Sequence, residues 1–286
     1  MNLDSIGGWI RTYYTSNVTP EIDGQEVTLF GWVQEIRDLG GIRFIILQDR
    51  EGTIQITIPK KRIPPEVLGK SDLLQKRFSI AVKGTVKKTN MTPRGIEVIP
   101  NEIKIFSTAI EQLPLDITGK TPANIEARLD ARPLDLCRDQ NLATFKIQHT
   151  TLEAIRSFLF QKGFLEVHTP RIIASATEGG AELFTVDYFG QKAYLAQSPQ
   201  LYKEELTLSF EKVFEVGPFF RAEESHTRRH LSEFVSVDIE EAFANAQDVM
   251  QLLEQVIHHA CTTVKEKCAS ELSVLKYKFE VPQIPF

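Results

Sequence analysis

Between Val27 and Phe106 the chain is cut into short runs in which apolar and polar residues alternate, and this pattern constrains the fold more than any other feature. Val27-Thr28-Leu29-Phe30-Gly31-Trp32-Val33 is the first run; Arg43 to Asp49 follows a Gly40-Gly41 turn, and Thr53 to Ile58 follows a Glu51-Gly52 turn. Phe78 to Val86 makes a fourth, and Ile96-Glu97-Val98-Ile99 with Glu102 to Phe106 makes a fifth. Period-two alternation broken by glycine turns is the mark of strands that bury one face. Five such strands in about 80 residues are best closed into a small barrel, which removes the unpaired edges. Pro64-Pro65-Glu66-Val67-Leu68, between the third and fourth runs, has the composition of a short helix.

Five β elements with a helix between the third and fourth is the order of an OB-fold. We assign residues 1–108 to this domain. From Gln112 to Pro133 the chain carries three prolines and little periodicity, so residues 109–134 are expected to be a hinge linker. Residues 135–286 form a second domain of mixed character. Gln148 to Lys162 has helical spacing, with Leu152, Ile155, Leu159 and Phe160 on one face. Strand-like segments follow at 183–195, 212–217 and 234–239, then a helix from about Asn245 to Lys267 with Val249, Leu252, Leu253, Val256 and Ile257 on one side. The fold class is therefore α+β.

Composition narrows the function classes. No apolar run approaches the roughly 20 residues that cross a membrane. Met1-Asn2-Leu3-Asp4 has neither a basic region nor an apolar core, so no secretory leader is expected. Cys137, Cys261 and Cys268 are an odd count without a CxxC pair, which suits a reducing cytoplasm better than a disulfide framework or a zinc site. The net charge of −5 is not that of a globally basic nucleic-acid binder, yet Lys60-Lys61-Arg62, Lys83, Lys87-Lys88 and Arg94 gather on the first domain.

The second domain carries the richest chemistry. Phe219-Phe220-Arg221-Ala222-Glu223-Glu224-Ser225-His226-Thr227-Arg228-Arg229-His230-Leu231-Ser232-Glu233-Phe234 lies between two alternating segments. It is expected to be a charged loop joining antiparallel strands. Arginine forks match phosphate oxygens, and carboxylates accept from an exocyclic amine or hold a metal. Such a loop suits a polyphosphate and a purine.

This run resembles motif 2 of the class II aminoacyl-tRNA synthetases, in the form of the aspartyl and asparaginyl branch. Gly163-Phe164-Leu165-Glu166-Val167-His168-Thr169-Pro170 resembles the family's motif 1. Ala176-Thr177-Glu178-Gly179-Gly180-Ala181 is similar to its mobile amino-acid loop, and Gln197-Ser198-Pro199-Gln200-Leu201-Tyr202-Lys203 to its substrate-binding segment. All four stretches occur in the family's order. The resemblance covers about residues 11–286 and implies an N-terminal OB-fold anticodon-binding barrel followed by a class II antiparallel-sheet catalytic domain.

The resemblance implies ATP-dependent attachment of an amino acid to tRNA through an adenylate, with ATP as substrate and Mg2+ beside it. Arg221 would be the catalytic arginine that contacts the α-phosphate and the substrate carboxylate. Glu223, Arg229, His230 and Leu231 would complete the ATP site. Glu178 would take the substrate's α-ammonium, and Gln200 and Lys203 its remaining polar groups. Lys203 is the candidate discriminator, because an ammonium pairs well with an aspartate carboxylate and poorly with a neutral amide. Ser236-Val237-Asp238-Ile239-Glu240 resembles the aspartyl form, and asparagine is the alternative substrate. In the barrel, Phe44 would stack on an anticodon base and Gln55 would read a uridine, with Arg37 and Arg43 as further RNA contacts. The implied partners are aspartate, tRNA(Asp) with tRNA(Asn) left open, and a second copy of the chain through motif 1.

Two departures qualify this picture. Leu136-Cys137-Arg138 stands where the family usually has two arginines, and no Gly-x-Gly-x-x-Arg run follows motif 2. The catalytic domain is thus expected to be incomplete at its C-terminus, with the magnesium ligands and motif 3 outside this chain, and the chain to be inactive alone. A non-enzymatic tRNA-binding paralogue and an amide ligase making asparagine are the competing readings; the barrel counts against the second.

Overall fold

The computed structural model describes residues 2–109, 112–175, 182–224, 227 and 230–282. The chain divides into two compact units, one up to Leu142 and the other from Ala143.

The first unit is built on strands β1 (Glu26–Asp38), β2 (Ile42–Asp49), β3 (Gly52–Pro59), β4 (Ser79–Lys88) and β5 (Ile96–Ser107). They close into a barrel in the order β1-β2-β3-β5-β4. All pairs are antiparallel except β3 with β5, which meet in parallel at Ile56 and Val98. Alternation decides which side chains point inward. Ile45, Leu47, Ile54, Ile56 and Ile58 are buried in one core with Val27, Leu29, Ile80, Val82 and Ile105. Each fully buried aliphatic side chain of this kind stabilises by about 1.5–3 kcal/mol relative to exposure. Helix α1 (Pro65–Leu73) lies between β3 and β4 in sequence and adds Val67 to that core. It starts where Pro65 supplies a preset φ at the first helical position.

The stretch after the barrel is more ordered than its prolines suggest. Asn124 accepts from the Ala127 N–H and opens α2 (Ile125–Asp130). Pro133 falls in the first turn of α3 (Arg132–Asp135), where a missing N–H costs nothing. The buried Asp135 carboxylate gathers Arg128 at 2.8 Å and Arg132 at 2.6 Å.

Helix α4 (Asp139–Gln161) begins nine residues before the helix expected from Gln148. The extra turns carry Leu142, Phe145 and Ile147 among polar residues, Ala143 is buried there, and an acidic residue opens the helix. In the second unit, β6 (Leu165–Glu166) pairs in parallel with β10 (Lys212–Phe220), which pairs antiparallel with β11 (Glu233–Glu241). A second small sheet orders β7 (Ile172–Ile173), β9 (Gln191–Leu195) and β8 (Thr185–Tyr188). Helix α5 (Gln200–Phe210) precedes β10, and α6 (Ala246–Lys267) and α7 (Ala269–Val274) follow β11. Asn245 caps α6 in a capping box with Asp248. Leu159 and Phe164 pack with Phe214, Val216 and Val256 against one face of β10. On its other face Phe219 packs with Ile173 and Ala196.

Candidate functional site

Residues two apart on a strand share a face, so Glu215, Gly217 and Phe219 line the face of β10 opposite α4 and α6, with Arg221 just past its end. The register brings Asp238, Ser236 and Phe234 of β11 beside the first three. Glu215 is 1% exposed and accepts from the Thr169 N–H at 3.0 Å and the Thr169 hydroxyl at 2.8 Å. It also forms an ion pair with Arg171. The Arg171 guanidinium lies 4.2 Å from the centre of the Phe219 ring. Gly217 makes room for it: a Cβ there would stand 2.1 Å from the Arg171 Nη2. Arg221 repeats the arrangement one step along, 5.4 Å from the centre of the Phe234 ring. Two arginines thus stand over two neighbouring rings on one sheet face, of which Phe219 is fully buried and Phe234 partly so, and cation–π attraction grows as water is excluded.

Arg221 sits where β10 gives way to the charged loop, and its N–H bonds to the Ser232 carbonyl at 3.0 Å. The chain leaving residues 176–181 is tied to the same spot. The Glu182 carbonyl accepts from the Ala222 N–H at 3.1 Å and from the Gln197 amide at 3.5 Å. Beyond Arg221, Glu223 and Leu231 are exposed. The Thr227 hydroxyl lies 2.6 Å from His230 Nδ1. Glu178 and Arg229 lie outside the described residues.

Gln200 and Lys203 both rise from the first turn of α5, after Pro199. Gln200 turns to Glu204 of its own helix. Lys203, with 12% of its side chain exposed, lies 3.4 Å from Asp238 and 3.3 Å from Glu240 on β11. The sequence reading named these two carboxylates only as part of the aspartyl-like stretch and did not place them beside Lys203. Their spacing of two on an alternating strand was the available signal, since it puts both on one face.

In the barrel, Phe44 pairs with Arg37 across β1 and with Thr57 across β3, while Gln55 pairs with Ile46. Phe44 and Gln55 are therefore diagonal neighbours on the outward face, whereas Ile45 and Ile56 point into the core. The Gln55 amide donates to Thr57 at 3.1 Å and Glu97 at 3.3 Å, and Thr57 donates to Glu97 at 2.6 Å. Arg37 forks onto Glu35 at 3.2 and 3.0 Å. That bond holds the Glu35 carboxyl below its ordinary range against a weaker pull from burial. Arg43 does not join this row as an open contact. It bonds Asp38 at 2.8 Å and Asp72 at 2.6 Å, with 12% of its side chain exposed. Much of the basic cluster is likewise committed: Lys60 binds Asp38 at 2.8 Å, and Arg94 donates to the carbonyls of Thr53 and Val18, both at 2.8 Å. Among the described residues, no cluster of three or more His, Cys, Asp or Glu side chains is arranged to hold a metal ion, and no helix is long and apolar enough to cross a membrane.

Comparison with known proteins follows this geometry. Residues 124–286 match the family described as tRNA synthetases class II (D, K and N), and residues 27–106 match the OB-fold nucleic acid binding domain. A similar protein of Methanopyrus kandleri, named as an aspartate–tRNA(Asp/Asn) ligase, is 52% identical over 279 residues, covering 97% of this chain and 65% of the relative. One of Archaeoglobus fulgidus with the same name is 47% identical, covering 96% and 64%. This chain therefore spans just under two thirds of the length of these curated relatives. Among solved structures, an asparaginyl-tRNA synthetase of Pyrococcus horikoshii, complexed with asparaginyl-adenylate, superposes with a TM-score of 0.86 at 33% identity, covering 93% of this chain and 61% of that one. An aspartyl-tRNA synthetase of Entamoeba histolytica superposes at 0.80 with 26% identity, covering 99% and 62%.

Proposed function

Because the chain belongs to the class II tRNA synthetases of the D, K and N group, we propose that it serves the ATP-dependent attachment of aspartate to tRNA through an aspartyl-adenylate. The observation that carries this reading is the floor made by β10 and β11, on which Arg221 is braced at the mouth of the charged loop.

In the first step an aspartate carboxylate oxygen attacks the α-phosphorus of ATP, and the bond to pyrophosphate breaks. Negative charge grows on the non-bridging oxygens. A preorganised guanidinium stabilises that charge more than it stabilises the ground state. Arg221 is assigned this role, with one edge of its fork on the α-phosphate and the other on the attacking carboxylate. Glu223, Arg229, His230 and Leu231 are assigned to ATP, and Glu178 to the α-ammonium of the amino acid. Magnesium carried in with ATP would help to neutralise the charge of its phosphates.

Lys203 and Gln200 are assigned to the amino-acid side chain. Asp238 and Glu240 hold Lys203 in place and take up part of its charge. An ammonium has three donors, so a third remains for the substrate. The same pair of carboxylates supports a second reading: a local excess of negative charge is less hostile to asparagine than to aspartate. The barrel is assigned to the anticodon, with Phe44 as the stacking ring, Gln55 as the uridine reader and Arg37 beside them; tRNA(Asp) is the partner, and tRNA(Asn) a further one. A homodimer through the Gly163–Pro170 segment and a cytoplasmic setting complete the proposal.

Pyrophosphate exchange into ATP tests it. The expected result is exchange that depends on aspartate and not on asparagine, by the chain alone or with the remaining third of a relative supplied in trans. Arg221→Ala should remove it, while Arg221→Lys should leave a small remainder, because lysine cannot bridge two oxyanions in one plane. Exchange that depends on asparagine would replace the first reading by the second. No exchange, with tRNA binding kept, would leave a tRNA-binding protein.

A further inference from the structure

The row of RNA-facing side chains does not end at Arg37. Glu35, two residues earlier on β1, holds Arg37 with both oxygens and also takes the Lys120 ammonium, which lies 3.3 Å from each of them. Lys120 comes from residues 115–121, a segment without helix or strand that is nonetheless firmly held. Leu115 and Ile117 anchor it, at 4% and 1% exposure. Between these two, the Asp116 carboxylate accepts from the N–H groups of Thr118 at 3.0 Å and Thr121 at 2.9 Å. Arg138 donates to the Asp116 carbonyl at 3.0 Å.

Between this segment and Gln75-Lys76, just after α1, lies an open cleft of about 700 Å³. Glu35, Lys76, Leu115, Asp116 and Lys120 are among its lining residues. Its two carboxylates are already engaged, Glu35 by two cations and Asp116 chiefly by backbone N–H groups, with a smaller contribution from the nearby charge of Lys76. Lys76 is exposed and has no ion pair among the described residues, and the Lys120 side chain is 67% exposed. The cleft thus presents cations at its rim, its anions are satisfied from within, and it adjoins the Arg37 end of the row through Glu35.

We infer that this cleft receives the phosphodiester backbone of single-stranded RNA as it leaves the Arg37–Phe44–Gln55 row, with Lys76 and Lys120 as phosphate contacts and Glu35 as the residue that positions Arg37 and Lys120 together. The inference rests on the anticodon reading of the barrel and extends it to a second, sequence-blind station. Phosphate contacts set register without reading bases. Their signature is the salt dependence of binding, since each neutralised phosphate releases condensed counterions.

The test uses the whole chain and a tRNA anticodon stem–loop, matched or with its anticodon scrambled, titrated by fluorescence anisotropy between about 50 and 200 mM salt. Lys76→Ala and Lys120→Ala should each lower the slope of log K against log salt by about 0.7, the value for one phosphate of a single strand. Each should weaken matched and scrambled loops by the same factor. Gln55→Ala should do the opposite, weakening the matched loop most and leaving the slope unchanged, because an amide reads a base edge and carries no charge. Lys267→Ala, in the other unit, controls for net charge and should change neither. Anticodon-selective binding with wild-type slopes in both lysine variants would overturn this inference alone. The same would follow if Lys267→Ala lowered the slope as much as they do. Absence of RNA binding by the unaltered protein would sink the anticodon reading together with it.

Discussion

The two candidate sites use the same device, an arginine fixed by a glutamate on one face of a sheet, in opposite surroundings. On the barrel, Arg37 and Glu35 meet in solvent, with 57% and 22% of their side chains exposed. On β10, Glu215 is fully covered and Arg171 is 22% exposed beneath the site. In water such a pair gains little, because screening and lost side-chain freedom offset the attraction. Away from water, each member depends on the other, and removing one leaves a charge with no solvent to replace it. In the proposed anticodon reading, the barrel pair exchanges its partner for an RNA phosphate. The pair on β10 cannot be given up without disturbing the floor on which Arg221 stands.

The largest test of that contrast is Glu215→Ala. It should destabilise the second unit by about 3–5 kcal/mol, the usual cost of breaking a buried pair, as read by urea denaturation. A loss no larger than that of a surface pair would break the comparison. Gly217→Ala comes next. Its new methyl must displace a guanidinium that Glu215 and Phe219 hold in place, at a cost of about 1–3 kcal/mol as for other overpacked sites. Arg171→Ala should relieve part of this penalty in the double variant, a non-additivity expected of touching residues. Strict additivity would mean that the glycine has another role.

A smaller effect tests the barrel side by pH. Burial raises the Asp116 carboxyl, but the N–H groups of Thr121 and Thr118 and the Thr118 hydroxyl outweigh it and bring the value from 3.8 down to about 2. A carboxyl lowered on folding adds stability that is complete above its unfolded value, near 4, and is lost as pH falls through the folded value. Asp116→Asn should therefore be less stable than the natural chain near neutrality, and the two should converge by about pH 2. A gap that persists in acid would assign the effect to packing instead. Smallest of all is Glu35→Ala, with a stability change of about 0–1 kcal/mol. Its effect should appear instead as altered RNA binding.

How much was visible beforehand follows the range of the interactions. The five barrel strands, the hairpin around the charged run and the helix starting after Asn245 are written in local alternation, turns and caps, and each appears within a few residues of the expected place. The segment from 112 to 135 was harder to read. Prolines suggest an open linker, yet Asn124 and Pro133 serve as helix starts and Asp135 ties the short helices together. Helix α4 starts earlier than expected: its first turns hold Leu142, Phe145 and Ile147 among polar residues, and of these turns only Ala143 is buried.

The residues by themselves determined the order of two domains, the family motifs and the candidate groups Arg221, Lys203, Phe44 and Gln55, because motifs and period-two patterns are properties of neighbours along the chain. Only the tertiary structure decided who holds whom: Asp238 and Glu240 around Lys203, Glu35 between Arg37 and Lys120, and Arg171 in the notch left by Gly217. Apart from Glu35 and Arg37, which are neighbours on one strand, those contacts join residues 35 to 85 positions apart, or arise from a side chain that is absent. Strand register sets which faces meet, and burial sets what each charge is worth.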